Sequence, residues 1–227
     1  MNLAKSLDVF SPHDVKGRIH IIGCGSVGST IAELLARYGL TNFTLYDFDK
    51  VEKKNIVNQM FFDPQVGQPK VEALRDILCA INPEAKNDIR LESSGWNGQP
   101  LSGYVFLAVD NIEIRQKIVD ANRFNTFIKA MFDVRTALFD AQLYAADWSD
   151  PKQVKEFRAT MNFTHAEATA QVPVSACGTT LGVAPTVRVA ACYTVTNFQN
   201  FIKKGELIHT GLSAPFNLQG ESAFLGL

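Results

Sequence analysis

The sequence predicts an α/β protein of the Rossmann-like, doubly wound type, with a mostly parallel sheet and an antiparallel extension in its carboxyl half. Near the amino end, a glycine-rich turn joins an apolar strand to an amphipathic helix. Further apolar runs of strand length then alternate with helical patterns, which is typical of parallel sheets. Residues 127–148 are rich in β-forming side chains and predict one parallel strand that leads into an antiparallel hairpin.

The first strand, turn and helix occupy the opening fifty residues. Residues 18–22 (RIHII) predict a short buried strand, GCGSVGS follows as the turn, and Gly39 ends the helix after it. The segment NFTLYDFD predicts a second strand with an acidic carboxyl end. A first βαβ unit is therefore complete by Asp49.

Two further elements complete the predicted parallel half. A helix is predicted for GQPKVEALRDILCAIN, with Pro69 in its first turn, Lys70 in its opening turn and an Asn-Pro pair as its stop. The apolar run YVFLAV over residues 104–109 predicts a central parallel strand. A helix begins directly after Asp110.

The carboxyl half shows weaker patterns. A short polar helix is predicted after Asp150 by PKQVKEFRATM, and a long loop by NFTHAEATAQVPVSACGTT. The segment VAPTVRVAACYTVTNFQNFIKK predicts a last, heavily buried helix that starts near Pro185 and ends at Gly205. Since the chain shows no repeat, low-complexity tract or linker, we expect a single domain over residues 1–227.

Composition and charge exclude several classes of protein. Hydrophobic residues make up 46% and charged residues 20%, which is ordinary for a globular fold. Lys and Arg number 22 against 23 Asp and Glu, so no global charge attracts nucleic acid or an anionic membrane. We expect neither as a partner. No stretch is apolar enough for a secretion signal or a membrane span, so we expect a cytoplasmic protein.

The cysteines and histidines predict neither a disulfide framework nor a zinc site. Cys24, Cys79, Cys177 and Cys192 are scattered and form no CxxC pair, and the four histidines lack metal-ligand spacing. For Cys24, Cys79 and Cys192 we expect packing in the core.

The glycine turn predicts a nucleotide site. Gly23, Gly25 and Gly28 form a GxGxxG pattern between a strand and a helix, where backbone N–H groups at the helix amino end bind phosphate. Asp47 follows the next strand, where a carboxylate accepts hydrogen bonds from ribose hydroxyls. This suits NAD as well as ATP, so the turn alone does not decide the nucleotide.

Charged residues at the predicted strand ends favour a triphosphate. Asp47, Asp49 and Asp110 each follow a strand, Lys70 begins a helix, and ligands of doubly wound sheets gather at the carboxyl ends of the strands. Carboxylates and one ammonium around a phosphate turn are the set that a magnesium nucleoside triphosphate needs. A dehydrogenase would leave Lys70 and Asp110 unused. The alternatives are that Asp110 only caps its helix and that Lys70 is solvated.

The chain resembles the ThiF/MoeB/HesA superfamily of ubiquitin-activating-type adenylyltransferases in GCGSVGS, LYDFDKVEKKNIVNQMFF, VGQPKVEAL with INPEA, and FLAVDN. The resemblance covers residues 17–130 and resumes at ACGTTLGVAPTV. It implies one ThiF-type adenylation domain, with a nucleotide-binding half over about 17–130 and a crossover loop and dimer-forming half over about 131–227.

The resemblance also implies an activity. In that family the carboxyl-terminal tail of a partner protein attacks the α-phosphate of ATP, which gives an acyl-adenylate and pyrophosphate. We therefore expect ATP and Mg²⁺, no zinc, a homodimer, and a small ubiquitin-like or sulfur-carrier protein with a Gly-Gly type terminus as partner. The resemblance implies the phosphates for Gly23, Gly25 and Gly28, the ribose for Asp47, the triphosphate region for Asn55 and Gln59, developing phosphate charge for Lys70, and Mg²⁺ for Asp110. We expect Asp49 and Asn58 to belong to the nucleotide site as well.

Cys177 is a candidate nucleophile by the same resemblance. In SACGTTLGVAP it matches the cysteine that accepts the activated carboxyl group as a thioester or acyl-persulfide in several relatives. A helix dipole directly after it would lower the pKa of the thiol. The alternative is that Cys177 is a small packing residue.

The chain departs from the family pattern at the nucleotide. It reads NIVNQ where the pattern is NxxRQ, so that the neutral Asn58 stands in the place of an arginine. Family members also donate an arginine from the partner subunit's amino-terminal segment, and residues 1–17 contain none. Either another arginine, such as Arg135 or Arg188, substitutes, or turnover is slow. The alternative functions are a nucleotide-binding interaction module without efficient chemistry and an NAD-linked oxidoreductase.

Overall fold

A computed structural model of the chain describes residues 1–170 and 182–213. In chain order the strands of these residues are β1 (Ile19–Ile22), β2 (Phe43–Tyr46), β3 (Arg90–Glu92), β4 (Gly103–Leu107), β5 (Ile128–Thr136), β6 (Ala141–Asp147) and β7 (Thr210–Ser213). The α-helices of these residues are α1 (Ser26–Arg37), α2 (Lys70–Ile81), α3 (Ile112–Asn122), α4 (Pro151–Ala159), α5 (His165–Ala170) and α6 (Ala184–Lys204).

The strands form one mixed sheet in the order β3-β2-β1-β4-β5-β6-β7. The first five in this order pair in parallel, whereas β5, β6 and β7 pair antiparallel. The predicted doubly wound fold with an antiparallel extension is therefore confirmed. The chain order reverses between β1 and β4, and at such a reversal the carboxyl ends of the strands border a ligand crevice.

Apolar layers cover both faces of the sheet. Alternate residues of a strand point to opposite faces, so Phe106 of β4 joins the layer beneath α1, α2 and α6, while Val105 joins the layer beneath α3 and α4. Phe106 stacks on Phe132 with ring centroids 4.8 Å apart, and Phe198 of α6 packs edge-on against both rings. The sheet is buried on both sides, which explains the continuous apolar runs of its central strands.

Helix α6 buries one face rather than its whole circumference. Ala190, Ala191 and Val195 are buried against α1 and the sheet, whereas Cys192 and Tyr193 are exposed. The predicted core packing of Cys192 is therefore wrong, because the helical period turns this residue away from Ala191 and Val195. Cys24 is buried, as predicted, and Cys79 is half-buried. The apolar face of α6 is therefore used within the chain.

The predicted loop after α4 is wrong over residues 165–170, which form α5. Thr164 and Glu167 form a reciprocal capping pair. The Thr164 amide donates to Glu167 Oε2 at 2.7 Å, and the Glu167 amide donates to Thr164 Oγ1 at 3.2 Å. The Thr-x-x-Glu spacing is a known signal for a helix start. Helix α2 is also shorter than the predicted segment over residues 67–82, since it begins at Lys70 with Pro69 as its N-cap residue and ends at Ile81.

Candidate nucleotide-binding site

Close packing requires glycine at two positions of the turn between β1 and α1. Gly23 has a φ of +95°, and a Cβ there would lie 2.7 Å from the backbone of Ala108. A Cβ on Gly28 would overlap the carbonyl oxygen of Gly23. These two glycines therefore let β1, the turn and the first part of α1 approach closely.

Gly25 differs from its two neighbours in the pattern. It is the N-cap residue of α1, and a Cβ built on it would have no atom of the described residues within 4 Å. The first N–H groups of a helix have no partner within the helix and carry the positive end of its dipole. The turn therefore presents unpaired donors to open space, which is the geometry that binds a phosphate.

Asp47 ties the end of β2 to this turn. Its Oδ2 accepts a hydrogen bond from the Cys24 amide at 2.7 Å, and its Oδ1 accepts one from the Asp49 amide at 2.9 Å. Burial raises the pKa of Asp47, an effect that nearby Lys70 opposes. Burial also raises the pKa of the Cys24 thiol, so Cys24 is a packing residue rather than a thiolate.

Lys70 is held beside Asp47 by an ion pair. Its Nζ lies 2.8 Å from Asp49 Oδ2, and its amide donates to the Asp49 carbonyl at 2.9 Å. The Lys70 side chain is only 9% exposed, whereas that of Asp49 is 51% exposed. The alternative of a solvated first-turn lysine is therefore wrong. The ammonium is fixed at the edge of the site, and the carboxylate that balances it remains open to solvent.

Asp110 lies at the end of the neighbouring central strand. It is exposed, and its carboxylate accepts no hydrogen bond from the residues that the structure describes. Asn111 caps α3 instead, since its Oδ1 accepts hydrogen bonds from the amides of Glu113 at 2.8 Å and Ile114 at 3.1 Å. The capping alternative for Asp110 is therefore wrong, and its carboxylate is available to a ligand.

The segment that contains Asn55, Asn58 and Gln59 packs against α1 without placing a cation there. Asn55 is buried and its Oδ1 accepts a hydrogen bond from the Glu52 amide at 2.8 Å, which closes a local turn. Asn58 Nδ2 donates to the Gly182 carbonyl at 3.3 Å. Gln59 Oε1 is a buried atom without a hydrogen-bond partner among the described residues. Of the three, only Gln59 has a buried side-chain atom without a partner among the described residues.

The two arginines considered as substitutes for the family arginine occupy different places. Arg135 donates Nε to Asp133 Oδ2 and Nη1 to the Thr160 carbonyl, both at 2.8 Å. Arg188, near the start of α6, donates Nη1 to Thr30 Oγ1 at 2.7 Å and contacts the sulfur of Met60. The structure thus brings Arg188, and not Arg135, to the segment that follows Asn58.

A second charged cluster at the carboxyl ends of β4 and β5 was not predicted from the sequence. Asp133 is fully buried and forms ion pairs with Arg115 and Arg135. Arg115 also donates Nη2 to the carbonyl oxygens of Val109 and, at 3.1 Å, Val134. Burial, together with the charge of Arg135, lowers the pKa of Arg115 to about 9. No sequence spacing signals this cluster, because packing of α3 against β5 creates it.

Cys177, the candidate nucleophile, falls outside the described residues. Within residues 1–170 and 182–213, no group of three or more His, Cys, Asp or Glu side chains is arranged to hold a metal ion. No helix of these residues combines the length and apolar character needed to cross a membrane.

Curated relatives share part of the sequence. Ubiquitin-like modifier-activating enzyme 5 of Caenorhabditis elegans is 42% identical over 80 residues, which cover 35% of this chain and 18% of that protein. The enzyme of the same name from Rattus norvegicus is 36% identical over 118 residues, which cover 44% of this chain and 29% of that protein. The chain therefore matches less than a third of the length of each of these two relatives.

Solved structures share the fold. PaaA aligns with a TM-score of 0.64 at 16% identity, over 91% of this chain and 63% of its own. Escherichia coli MccB, solved with AMPCPP and MccA, aligns with a TM-score of 0.62 at 19% identity, over 86% of this chain and 59% of its own. At these identities the likeness shows the fold alone. The model of the ThiF family matches residues 15–216, and the chain therefore belongs to the ThiF family.

Proposed function

We propose that the chain is an ATP-dependent adenylyltransferase that activates the carboxyl-terminal carboxylate of a ubiquitin-like or sulfur-carrier protein. One observation carries the proposal: the open glycine turn, the buried Lys70 ammonium and the free Asp110 carboxylate meet at the carboxyl edge of the sheet. A dinucleotide would need only the turn and Asp47. The lysine and the free carboxylate are what a magnesium triphosphate would use in addition.

The residues of the site suit nucleotidyl transfer. An oxygen of the tail carboxylate attacks the α-phosphorus, the bond between that phosphorus and the bridging oxygen breaks, and pyrophosphate leaves with the electron pair. Negative charge gathers on the phosphate oxygens during this step. The Lys70 ammonium and the first N–H groups of α1 would stabilise it without reorganisation, because both are already fixed by the fold.

Mg²⁺ fits the donor set of the site. Mg²⁺ is commonly held by one or two carboxylates together with substrate phosphates and water. Asp110 supplies an exposed carboxylate without a hydrogen bond from the described residues, so it would hold the ion. The ion would neutralise part of the phosphate charge.

The names of relatives support a protein or peptide tail as substrate. The curated relatives are named as activating enzymes of ubiquitin-like modifiers, and MccB has been solved with ATP and with MccA. We propose a Gly-Gly type tail for this chain, with transfer to Cys177 as a later step. We also propose a homodimer in the cytoplasm. Because the apolar face of α6 is buried within this chain, the dimer rests on the family resemblance.

A nucleotide-binding interaction module is the second candidate. Asn58 favours it, since its side chain is neutral and is tied to the Gly182 carbonyl. An NAD-linked oxidoreductase is less well supported, because it leaves the buried Lys70 and the free Asp110 without a role.

Two measurements test the proposal. Calorimetry compares MgATP with NAD, and ATP–pyrophosphate exchange is measured with a panel of ubiquitin-like proteins that end in Gly-Gly, each beside a tail-truncated control. We expect tighter binding of MgATP and exchange that depends on the intact tail. MgATP binding without exchange for any member would favour the interaction module. Tight NAD binding with no response to MgATP would overturn the nucleotide assignment itself.

A further inference from the structure

We propose that Arg188 is a phosphate-binding residue of this site and acts on the pyrophosphate portion of the triphosphate. The inference rests on the proposed function and adds to it a residue that the resemblance does not assign. It is carried by the contacts of Arg188 and by the charge around it.

Contacts place the Arg188 guanidinium near the amino end of α1. Its Nη1 donates to Thr30 Oγ1 at 2.7 Å, and the Thr30 hydroxyl in turn donates at 2.8 Å to the carbonyl of Ser26, the first residue of α1. The guanidinium is therefore two hydrogen bonds away from the start of the helix that follows the glycine turn. Lys70 begins α2 and Arg188 belongs to α6, and both helices pack against α1.

The charge of Arg188 is not balanced by a carboxylate of the described residues. None of the ion pairs among residues 1–170 and 182–213 includes it. A half-buried cation near the positive end of a helix dipole is unfavourable unless an anion lies close by. A bound phosphate would supply that anion.

The charges at this edge of the sheet leave a place for such a cation. Asp47, Asp49 and Asp110 contribute three carboxylates, against the Lys70 ammonium and the Arg115 guanidinium, whose pKa is lowered by burial and raised in part by nearby Asp110. Counted together with Asp133 and Arg135, four carboxylates stand against three cations, and this net negative charge disfavours a triphosphate. Mg²⁺ at Asp110 would offset part of this excess, and Arg188 offsets more. Arginine also matches the oxygens of a phosphate with two parallel N–H donors.

Residues 58–60 contact Arg188 through Met60 and are themselves fixed to α1 and to the start of α6. Met60, whose sulfur touches the guanidinium, donates its amide to Ser29 Oγ at 3.3 Å, so the segment is fixed to α1. The link from Asn58 to the Gly182 carbonyl fixes the same segment to the chain just before α6. Gln59 Oε1, one residue before Met60, lies buried without a hydrogen-bond partner among the described residues.

Calorimetry with AMP, MgADP and MgATP tests the inference on the wild-type chain, Arg188→Gln and Arg188→Lys. For Arg188→Gln we expect MgATP affinity to fall on the order of 10- to 100-fold, while AMP affinity changes less than about twofold, since only the added phosphates lose a charged partner. Arg188→Lys should keep part of the preference for MgATP. Arg37→Gln is the matched control, because Arg37 is exposed on α1 and paired with Glu33.

Two results would overturn the inference while leaving the proposed function intact. One is an unchanged MgATP-to-AMP preference in Arg188→Gln, and the other is an equal loss for all three nucleotides, which indicates a packing role. If Arg188→Gln does not fold, Arg188→Met keeps an apolar stem against Met60 and serves the same comparison. A wild-type chain that binds none of the three nucleotides overturns the proposed function, and this inference with it.

Discussion

Two clusters of charged residues lie at the carboxyl edge of the same sheet, and they differ in how completely the fold uses their charges. In the closed cluster, Asp133 is fully buried and paired with Arg115 and Arg135. In the open cluster, Lys70 is buried but its partner Asp49 is half exposed, and a similar carboxylate at Asp110 has no donor among the described residues. The same residue types therefore serve two purposes.

The difference indicates what each cluster is for. In the closed cluster, Arg115 donates hydrogen bonds to the carbonyl oxygens of Val109 and Val134. These bonds fix the ends of β4 and β5, next to Asp110. The buried carboxylate of this cluster is paired with arginines of the protein itself. The open cluster keeps unpaired oxygens and helix N–H groups toward solvent, and that remaining capacity is what a ligand needs.

The largest effect on stability is expected from breaking the closed cluster. In Asp133→Ala two buried arginines lose their common carboxylate, and we expect the free energy of unfolding to fall by about 3–5 kcal/mol. Urea denaturation measures it. The control is Asp120→Ala, which removes a surface pair with Arg158 and should cost less than about 1 kcal/mol. Equal losses in the two variants would contradict a structural role for the closed cluster.

A substitution in the open cluster should affect activity strongly and stability little. In Lys70→Met we expect tail-dependent pyrophosphate exchange to fall on the order of 10²- to 10³-fold, because a preorganised positive group is lost where charge develops. The free energy of unfolding should change by less than about 1 kcal/mol, since Asp49 stays in contact with water. Lys152→Met, at an exposed helix position, is the control. A large loss of stability with exchange retained would make Lys70 a structural residue.

The sequence predicted the open cluster better than the closed one, for a physical reason. Asp47, Asp49 and Lys70 are placed by a strand end and a helix start, both of which follow from local apolar periodicity. Arg115 and Asp133 lie on a helix and a strand that meet only after the sheet is assembled, so no local pattern pairs them. Cys192 shows the same limit, since which face of α6 turns inward depends on α1 and the sheet.

Short edge elements were also beyond local patterns. Strand β3 has three residues, Arg90–Glu92, none of them fully buried, so it lacks the apolar run that predicts a strand. Its parallel pairing with β2 supplies the conformation instead. Helix α5, by contrast, carries a local signal in the Thr164 and Glu167 capping spacing, which the prediction of a loop overlooked.

His20 is a third buried polar group, and it is hydrogen-bonded within the protein without an ion-pair partner among the residues that the structure describes. His20 is buried, its Nδ1 lies 2.9 Å from the Tyr46 hydroxyl, and the Ser102 amide donates to its Nε2 at 3.3 Å. Burial, aided by Arg18, lowers the pKa of His20 to about 4. The unfolded chain binds this proton below about pH 6.5, whereas the folded chain does not bind it until about pH 4.

Acidification should therefore destabilise the fold through His20. Between pH 6.5 and 4 we expect this residue to account for a loss of up to about 3 kcal/mol in the free energy of unfolding. Denaturation at several pH values, in the wild type and in His20→Gln, measures the contribution. The variant should be less stable at pH 7 but depend less on pH in this window. An identical pH dependence in the two proteins would assign the effect to other groups.

The smallest expected effect on stability separates the ligand-facing glycine from the packing glycines. A Cβ on Gly25 meets no described atom within 4 Å, so Gly25→Ala should cost less than about 1 kcal/mol, the usual scale for an altered N-cap. Its methyl group would nevertheless stand in the open space in front of the turn, and we expect MgATP affinity to fall about 10-fold, or roughly 1.4 kcal/mol.

Gly211→Ala in β7, where a Cβ is equally unobstructed, is the control and should leave both the stability and the MgATP affinity unchanged. Gly28→Ala should instead destabilise the protein, because its Cβ would overlap the Gly23 carbonyl. Full MgATP affinity in Gly25→Ala, with the protein stable, would show that the phosphates do not bind at the glycine turn.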